Sequence, residues 1–385
     1  MKLKRLILLC VPMMAAAQSP VDKFVAEIVA NNREIRATRV SAAAEVKNRI
    51  ADNRLEATEV GFGYKWPDKT DEVTKLEFEV TQAFDWPGVY GVRRRAINAA
   101  SYAQYLTGNA AERSLQLEAH TLLCQLVGDN RRVNMLSTIV ANLDSLHTAM
   151  HLSLESGEST ELDHRKLEIE EVAMKQQLNE ALRARTETLG SIAALNGGKL
   201  PAGVADLSDY PAAELLPLSS YLANTDLEAA AMNAQAGVAD LDARAERMGL
   251  FPGFSVGYVM EKEGPVMYNG FSLGLRLPQY SATPRAAAAQ LEAAALRLRA
   301  ENSAAERRSK ITVSHSAAED AKKLLADYDR AFGHNYPDLL HRALRGGAVT
   351  YIEYFSELNF YLSARLEYLQ TEQTYQTLLQ TLPLM

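Results

Sequence analysis

A chain of 385 residues is longer than one small domain, and its 47% hydrophobic and 23% charged residues match ordinary folded proteins, which excludes a disordered chain, collagen and a bundle of membrane helices. Its 41 Lys and Arg against 48 Asp and Glu leave a net charge of -7, so no nucleic-acid partner is expected. Two cysteines, Cys10 and Cys124, are too few for a disulfide scaffold.

The N-terminus reads as a signal peptide over residues 1–17. Lys2, Lys4 and Arg5 are basic, residues 6–14 are apolar, and Ala15, Ala16 and Ala17 form a small-residue cleavage site before Gln18. Leu9 is larger than the residue that normally precedes a lipidated cysteine, which argues against lipid on Cys10. Beyond the peptide no run reaches the ~18 apolar residues of a transmembrane helix, so any membrane contact falls to strands or to a surface.

An opening helix is predicted over 21–53. Two segments with period two come next. Val60, Phe62, Tyr64 and Trp66 oppose Glu59, Gly61, Gly63 and Lys65, then Leu76, Phe78, Val80, Phe84 and Trp86 oppose Lys75, Glu77, Glu79, Thr81 and Asp85, with Gln82 interrupting the apolar side. Residues 89–196 contain no proline and are rich in Ala, Leu, Glu, Gln and Arg, a long helical stretch. Gly157 and small polar residues around it break that stretch, and Ser159 is placed to cap the descending helix, giving a helical hairpin. At ~1.5 Å per residue the rising arm, 89–154, is about 100 Å long. Cys124, in the middle of that arm, reads as a buried small side chain.

Pro201, Pro211 and Pro217 mark residues 197–217 as a non-helical connection. The second half then repeats the order. A helix is predicted over 226–248. Phe254, Val256, Tyr258 and Met260 oppose Ser255, Gly257 and Glu261, and Phe271, Leu273, Leu275 and Leu277 oppose Ser272, Gly274 and Arg276. A long helix comes after them over 285–344, with a kink expected at Pro337, a break at Arg345, Gly346 and Gly347, and a return helix over 350–382. The Ala-rich run 286–296 reads as a seam of close helix packing.

The halves are an internal duplication. Gly63 recurs 194 residues on as Gly257, Phe78 recurs 193 on as Phe271, and the tip glycine Gly157 recurs 190 on as Gly347. The expected organisation is a signal peptide (1–17), a first repeat (18–196), a linker (197–221) and a second repeat (222–385).

Four strands cannot close a barrel, and an open sheet edge in lipid leaves backbone groups unpaired at several kcal/mol each. Copies must therefore share one barrel. Two copies give eight strands and a filled interior, three give twelve and a lumen, and the glycine and charge of one face favour the lumen. Tyr64, Trp66, Phe84 and Trp86 suit an interfacial girdle; the alternative is the core of a soluble sheet.

These residues resemble the TolC-type outer-membrane efflux proteins over essentially all of the mature chain. The most specific stretch runs from Gly347, Ala348, Val349 and Thr350 through Tyr351, Ile352, Glu353, Tyr354, Phe355 and Ser356 to Glu357 and Leu358, and resembles the family's glycine, hydrophobic and acidic turn. Asn31, Asn32, Arg33 and Glu34 resemble its opening-helix pattern, and the C-terminal stretch from Tyr336 to Glu372 is closer to its metal-cation branch. The resemblance implies a mainly α fold with a small β part, a homotrimer with a shared twelve-stranded barrel in the outer membrane, and a helical tunnel in the periplasm. It implies an adaptor protein and an inner-membrane pump as partners, and export of small molecules or metal cations.

The sixth residue past each tip glycine is acidic, Asp163 in the first repeat and Glu353 in the second. Three copies would bring six carboxylates to the narrow end of the tunnel, where like charges repel anions and attract cations. In the family's motif Glu353 matches one aperture acid, while the other acidic position falls on Ser356. The competing reading makes both carboxylates helix starts that complement the helix dipole. Gly157, Ser159, Gly346 and Gly347 in the tip loops are the expected adaptor-docking surface, and Gly346 and Gly347 also read as a helix C-cap.

Catalytic patterns are missing. There is no HExxH and no phosphate loop, since Gly197, Gly198 and Lys199 lack the earlier glycine at Ala193. No enzyme, cofactor or metal site is expected. Asp144, His147 and His151 have helical spacing that could hold a metal, but are read as a polar stripe on a long helix. The alternative to the channel is a periplasmic coiled-coil adaptor or scaffold that stays out of the membrane; against it, strands precede each hairpin and occur twice.

Overall fold

The computed structural model describes residues 20–66, 73–155, 160–277, 282–332 and 336–385. The signal peptide, Gly157 and Ser159 lie outside these residues. The chain runs α1 (Pro20–Asn31), α2 (Arg33–Asp52), β1 (Glu59–Lys65), β2 (Lys75–Phe84), α3 (Pro87–Glu155), α4 (Glu161–Leu195), α5 (Leu218–Leu222), α6 (Leu227–Met248), β3 (Gly253–Glu263), β4 (Val266–Arg276), α7 (Ala282–Phe332), α8 (Tyr336–Arg345) and α9 (Tyr351–Thr381). The fold is mainly α with a small sheet, and the order of helix, strand pair and helical hairpin occurs twice.

Two compact units cut across that repeat. One comprises the chain up to Arg33 with Arg113–Asn224 and Lys310–Met385, the other Glu34–Glu112 with Thr225–Ser309. Each unit draws on both repeats.

In the first unit α3, α4 and α9 share a core. Leu136, Ile139, Leu143 and Met150 meet Leu167, Met174, Ala181 and Leu362, with Phe355, Leu358 and Tyr361 packed around them. The steps of 3, 4 and 7 residues on α3 and of 7 on α4 are those of a coiled-coil seam, and each fully buried Leu contributes roughly 1.5–3 kcal/mol. Cys124 is fully buried on α3, as its surroundings in the sequence predict.

The connection after α4 is a belt strapped to the helices. Asn130 on α3 donates to the carbonyls of Ala205 and Leu207 at 3.1 and 2.8 Å, and Arg185 on α4 donates to Asn130 Oδ1 and to the Ala205 carbonyl. Arg131 donates to the Ser208 carbonyl at 3.0 Å, covers the Tyr210 ring at 4.7 Å and forms a two-pronged pair with Glu372 at 2.8 Å. The last residues of the predicted linker form α5, whose Tyr221 is buried against Ile311, Ala318 and Leu382.

One predicted helix is divided. The opening helix breaks at Asn32, whose Nδ2 donates to the Leu195 carbonyl at 3.0 Å while Asn31 Nδ2 donates to Asn196 Oδ1 at 3.0 Å. An Asn that finds a partner outside its own helix supports a break there. Near Pro337 the described residues show α7 to Phe332 and α8 from Tyr336, with Pro337 in the first turn of α8, where the missing N–H costs least; residues 333–335 between them lie outside the described ones.

In the second unit small residues form the helix contacts. Ala100 and Ala103 of α3 meet Val238 of α6, and Ala236 and Ala239 meet Ala293 of α7. Ala286, Ala293 and Ala300 are buried at seven-residue intervals, the seam expected of the Ala-rich run.

Candidate membrane-spanning sheet and hairpin ends

The four strands form one antiparallel sheet in the order β1-β2-β3-β4. Each repeat contributes its predicted hairpin, and β2 joins β3 through the register Phe78↔Met260, Val80↔Tyr258 and Phe84↔Phe254. Because side chains alternate, this register sorts the sheet into two faces. Val60, Val80, Tyr258 and Phe271 form one row of the apolar face, and Phe84, Phe254 and Leu275 another. The opposite face carries Gly61, Gly63, Gly257, Gly270 and Gly274, with Ser255, Ser272 and Thr81, and with Glu59, Glu77, Glu79, Glu261 and Glu263 beside Lys65, Lys75 and Arg276.

The polar face is held by short contacts. Lys65 pairs with Glu77 at 2.8 Å and Lys75 with Glu263 at 3.1 Å. At Gly257 any Cβ would meet Ser272 Oγ, and would lie 2.8 Å from Thr81 Oγ1, so only glycine fits between these hydroxyls. Among the described residues nothing covers the outer part of the apolar face: Phe271 is 84% and Leu273 83% exposed.

The predicted girdle residues occupy opposite ends of the sheet. Tyr64 and Trp66 pair at 6.0 Å between ring centroids where β1 ends. At the other end Trp86 stacks on Phe251 at 5.2 Å and meets Phe254 at 5.9 Å, while Phe84 faces Phe254 across the ladder. About ten residue steps separate the belts, roughly 33 Å along the strands and about 25 Å once they tilt by ~40°, the height of a membrane barrel's apolar band. Phe251 and Phe254 were not expected in the girdle; their place beside Trp86 depends on the β2–β3 pairing, which period two does not reveal. Beneath this belt Arg276 binds Glu56 at 2.8 and 2.9 Å and Asp85 at 2.9 Å, and Asp85 also accepts from Arg93 at 2.9 Å.

The second hairpin end is a helix C-cap joined directly to an N-cap. Gly347 has φ 71°, the Ala348 amide donates to the Ala343 carbonyl at 2.9 Å, and the Gly346 amide donates to the Arg342 carbonyl at 2.9 Å. Such a turn requires left-handed backbone, which glycine supplies. Thr350 then caps α9. The Glu353 amide donates to Thr350 Oγ1 at 3.2 Å, and Glu353 Oε2 accepts from the Thr350 amide at 2.9 Å and from its hydroxyl at 3.0 Å. The hydrogen bond from the Thr350 amide, helped by the hydroxyl, holds the Glu353 carboxyl below the usual carboxylate range. The helix-start geometry is thus realised at Glu353. Asp163 is the third residue of α4, as Glu353 is of α9, but its side chain lies outside the described ones. Ser356 is exposed one turn further along α9, and its neighbour Glu357 accepts from the Tyr336 hydroxyl at 2.7 Å. Asp144, grouped by spacing with His147 and His151, instead pairs with Lys175 at 3.3 Å.

No protein-family model and no curated protein matches the sequence. Solved structures do. A membrane protein from Pseudomonas aeruginosa is 14% identical with a TM-score of 0.77, over 95% of this chain and 89% of that one. The MtrE outer membrane channel of Neisseria gonorrhoeae, in its open state, is 15% identical with a TM-score of 0.75, over 94% and 88%. The CmeC outer membrane channel of Campylobacter jejuni is 14% identical with a TM-score of 0.73, over 94% and 85%. The chain has the fold of the TolC-type outer-membrane channels. Nearly its whole length takes part in that likeness.

Proposed function

We propose that three copies of this chain join edge to edge, β1 of one to β4 of the next, into a twelve-stranded barrel in the outer membrane, and that the trimer is the exit duct of a tripartite efflux system. The observation that carries this reading is the sheet: one face exposed and apolar apart from Gln82, Lys262 and Asn269, the other glycine-rich and charged, aromatic residues at both ends, and both outer strands without a neighbour among the described residues. A sheet for water does not leave such a face and two bare edges together. A scaffold outside the membrane leaves that face without a partner, and the solved channels of like fold are described as outer membrane channels.

The polar face lines the lumen and the helical hairpins reach into the periplasm. Gly346 and Gly347, with Gly157 and Ser159 of the first hairpin, form the surface that receives a periplasmic adaptor, through which an inner-membrane pump delivers small molecules or metal cations. Asp163 and Glu353 ring the aperture, with Ser356 in place of a further acid. The duct performs no chemistry. Membrane fractionation tests this directly: after a high-salt wash the protein should remain in the outer membrane and run as a heat-modifiable trimer. A monomer that is soluble without detergent overturns the reading.

A further inference from the structure

Close to their ends the two hairpins align at one constant offset. α3 ends at Glu155 and α8 at Arg345, α4 begins at Glu161 and α9 at Tyr351, each pair 190 residues apart. At this offset His147, His151, His164 and Glu168 of the first repeat correspond to Pro337, His341, Tyr354 and Leu358 of the second. The second repeat fills the place by ordinary packing: Tyr354 and His341 are 3.4 Å apart from hydroxyl to Nε2, and Leu358 lies against the apolar core.

The first repeat fills it with donor atoms. The His147 and His164 rings, from α3 and α4, are 4.9 Å apart, and His151 lies 6.0 Å from His164. His164 is buried, with Nδ1 3.7 Å from Glu168 Oε1. One ligand atom from each of His147, His164 and Glu168 lies within 4.8 Å of the other two. The Nε2 atoms of both His147 and His164 are buried without a hydrogen-bond partner. Buried ring nitrogens are ordinarily satisfied, and the second repeat, with Pro337, Tyr354 and Leu358 in the corresponding places, shows that the fold does not require His147, His164 and Glu168 here.

We propose that His147, His164 and Glu168 bind a divalent late first-row metal ion, zinc foremost, and thereby tie α3 to α4 beside the hairpin end. Two imidazoles and one carboxylate are a known zinc ligand set that leaves a fourth position for water. A tetrahedral ion with bonds of about 2.0–2.2 Å holds its ligands about 3.4 Å apart, so the side chains close inward by about 1 Å on binding. The site lies within one compact unit and does not depend on the channel reading.

The test is a titration of the purified full chain, stripped of metal by chelation, with Zn2+ by calorimetry and with Co2+ by visible absorption. The expected result is one ion per chain, a four-coordinate cobalt spectrum and a rise in melting temperature with Zn2+. His147→Ala with His164→Ala should abolish all three. His164→Tyr with Glu168→Leu installs the residues that the second repeat already accommodates, so it should fold as the wild type does and lose the ion. His341→Ala should bind as the wild type. No saturable binding by the wild type overturns the proposal, as does stoichiometric binding that survives in the Tyr and Leu variant.

Discussion

Thr350 and Glu353 cap each other: the Glu353 carboxylate accepts the Thr350 amide at 2.9 Å while the Thr350 hydroxyl accepts the Glu353 amide at 3.2 Å. The carboxyl therefore titrates below its ordinary value of 4.5, and the stabilisation is complete above that value and lost as pH falls through the lowered folded one. Side-chain NMR of Glu353 should place its midpoint in that acid window. Thr350→Ala should return it toward the ordinary value, and amide exchange at the start of α9 should quicken.

The same residue serves as the test of the aperture. Replacing Glu353 and Asp163 together by alanine should raise single-channel conductance, or weaken block by cations, in planar bilayers. Unchanged currents would leave both residues as helix starts alone.

The two faces of the sheet make opposite forecasts for neighbouring residues. Phe271→Arg places a charge at mid-height on the apolar face and should cost about 2–4 kcal/mol if that face meets lipid, depleting the heat-modifiable trimer. Ser272→Arg points to the polar face, so the trimer should survive with altered ion selectivity. Equal tolerance of both substitutions would refute the assignment of the faces.

The belt after α4 hangs on Arg131. Glu372→Gln removes the two-pronged carboxylate of this half-buried guanidinium, leaving it the exposed Asp209 at 3.7 Å, and should lower stability by roughly 1–3 kcal/mol in denaturant melts. Limited proteolysis should then cut near Ser208 and Tyr210 sooner than in the wild type.

Burial pushes the Cys124 thiol up to about 12. Iodoacetamide should leave the folded protein untouched at mild alkaline pH and label it only after denaturation. Because the unfolded thiol ionises near 9.0 and the folded one does not, stability should decline as pH rises from there toward 12.

The strands were legible in the sequence because alternation persists over seven to eleven residues: β1 to β3 fall within two residues of their predicted positions, while β4 begins at Val266, five residues before the predicted Phe271. The starts of α6 and α9 were legible too, predicted at 226 and 350 and found at Leu227 and Tyr351. The break at Asn32 was not, because what supports it, the Leu195 carbonyl, lies 163 residues away. The β2–β3 ladder was equally hidden: two hairpins of like pattern do not announce which edges meet. His164 and Glu168 were missed as partners of His147 for a related reason. Pairing across a helical hairpin depends on where its turn begins and ends, whereas spacing along α3 singled out Asp144, which faces a lysine.

The β2–β3 ladder has a consequence for biogenesis. In the proposed trimer nine of twelve strand junctions would form within single chains, three in each, and the remaining three would join neighbours. A lone newly exported chain thus has a nearly finished wall segment but no way to seal it, so insertion and oligomerisation must occur as one concerted event. The rate of that event should rise steeply with the concentration of unassembled chains, and a subunit with a defective β1 margin should poison its wild-type siblings.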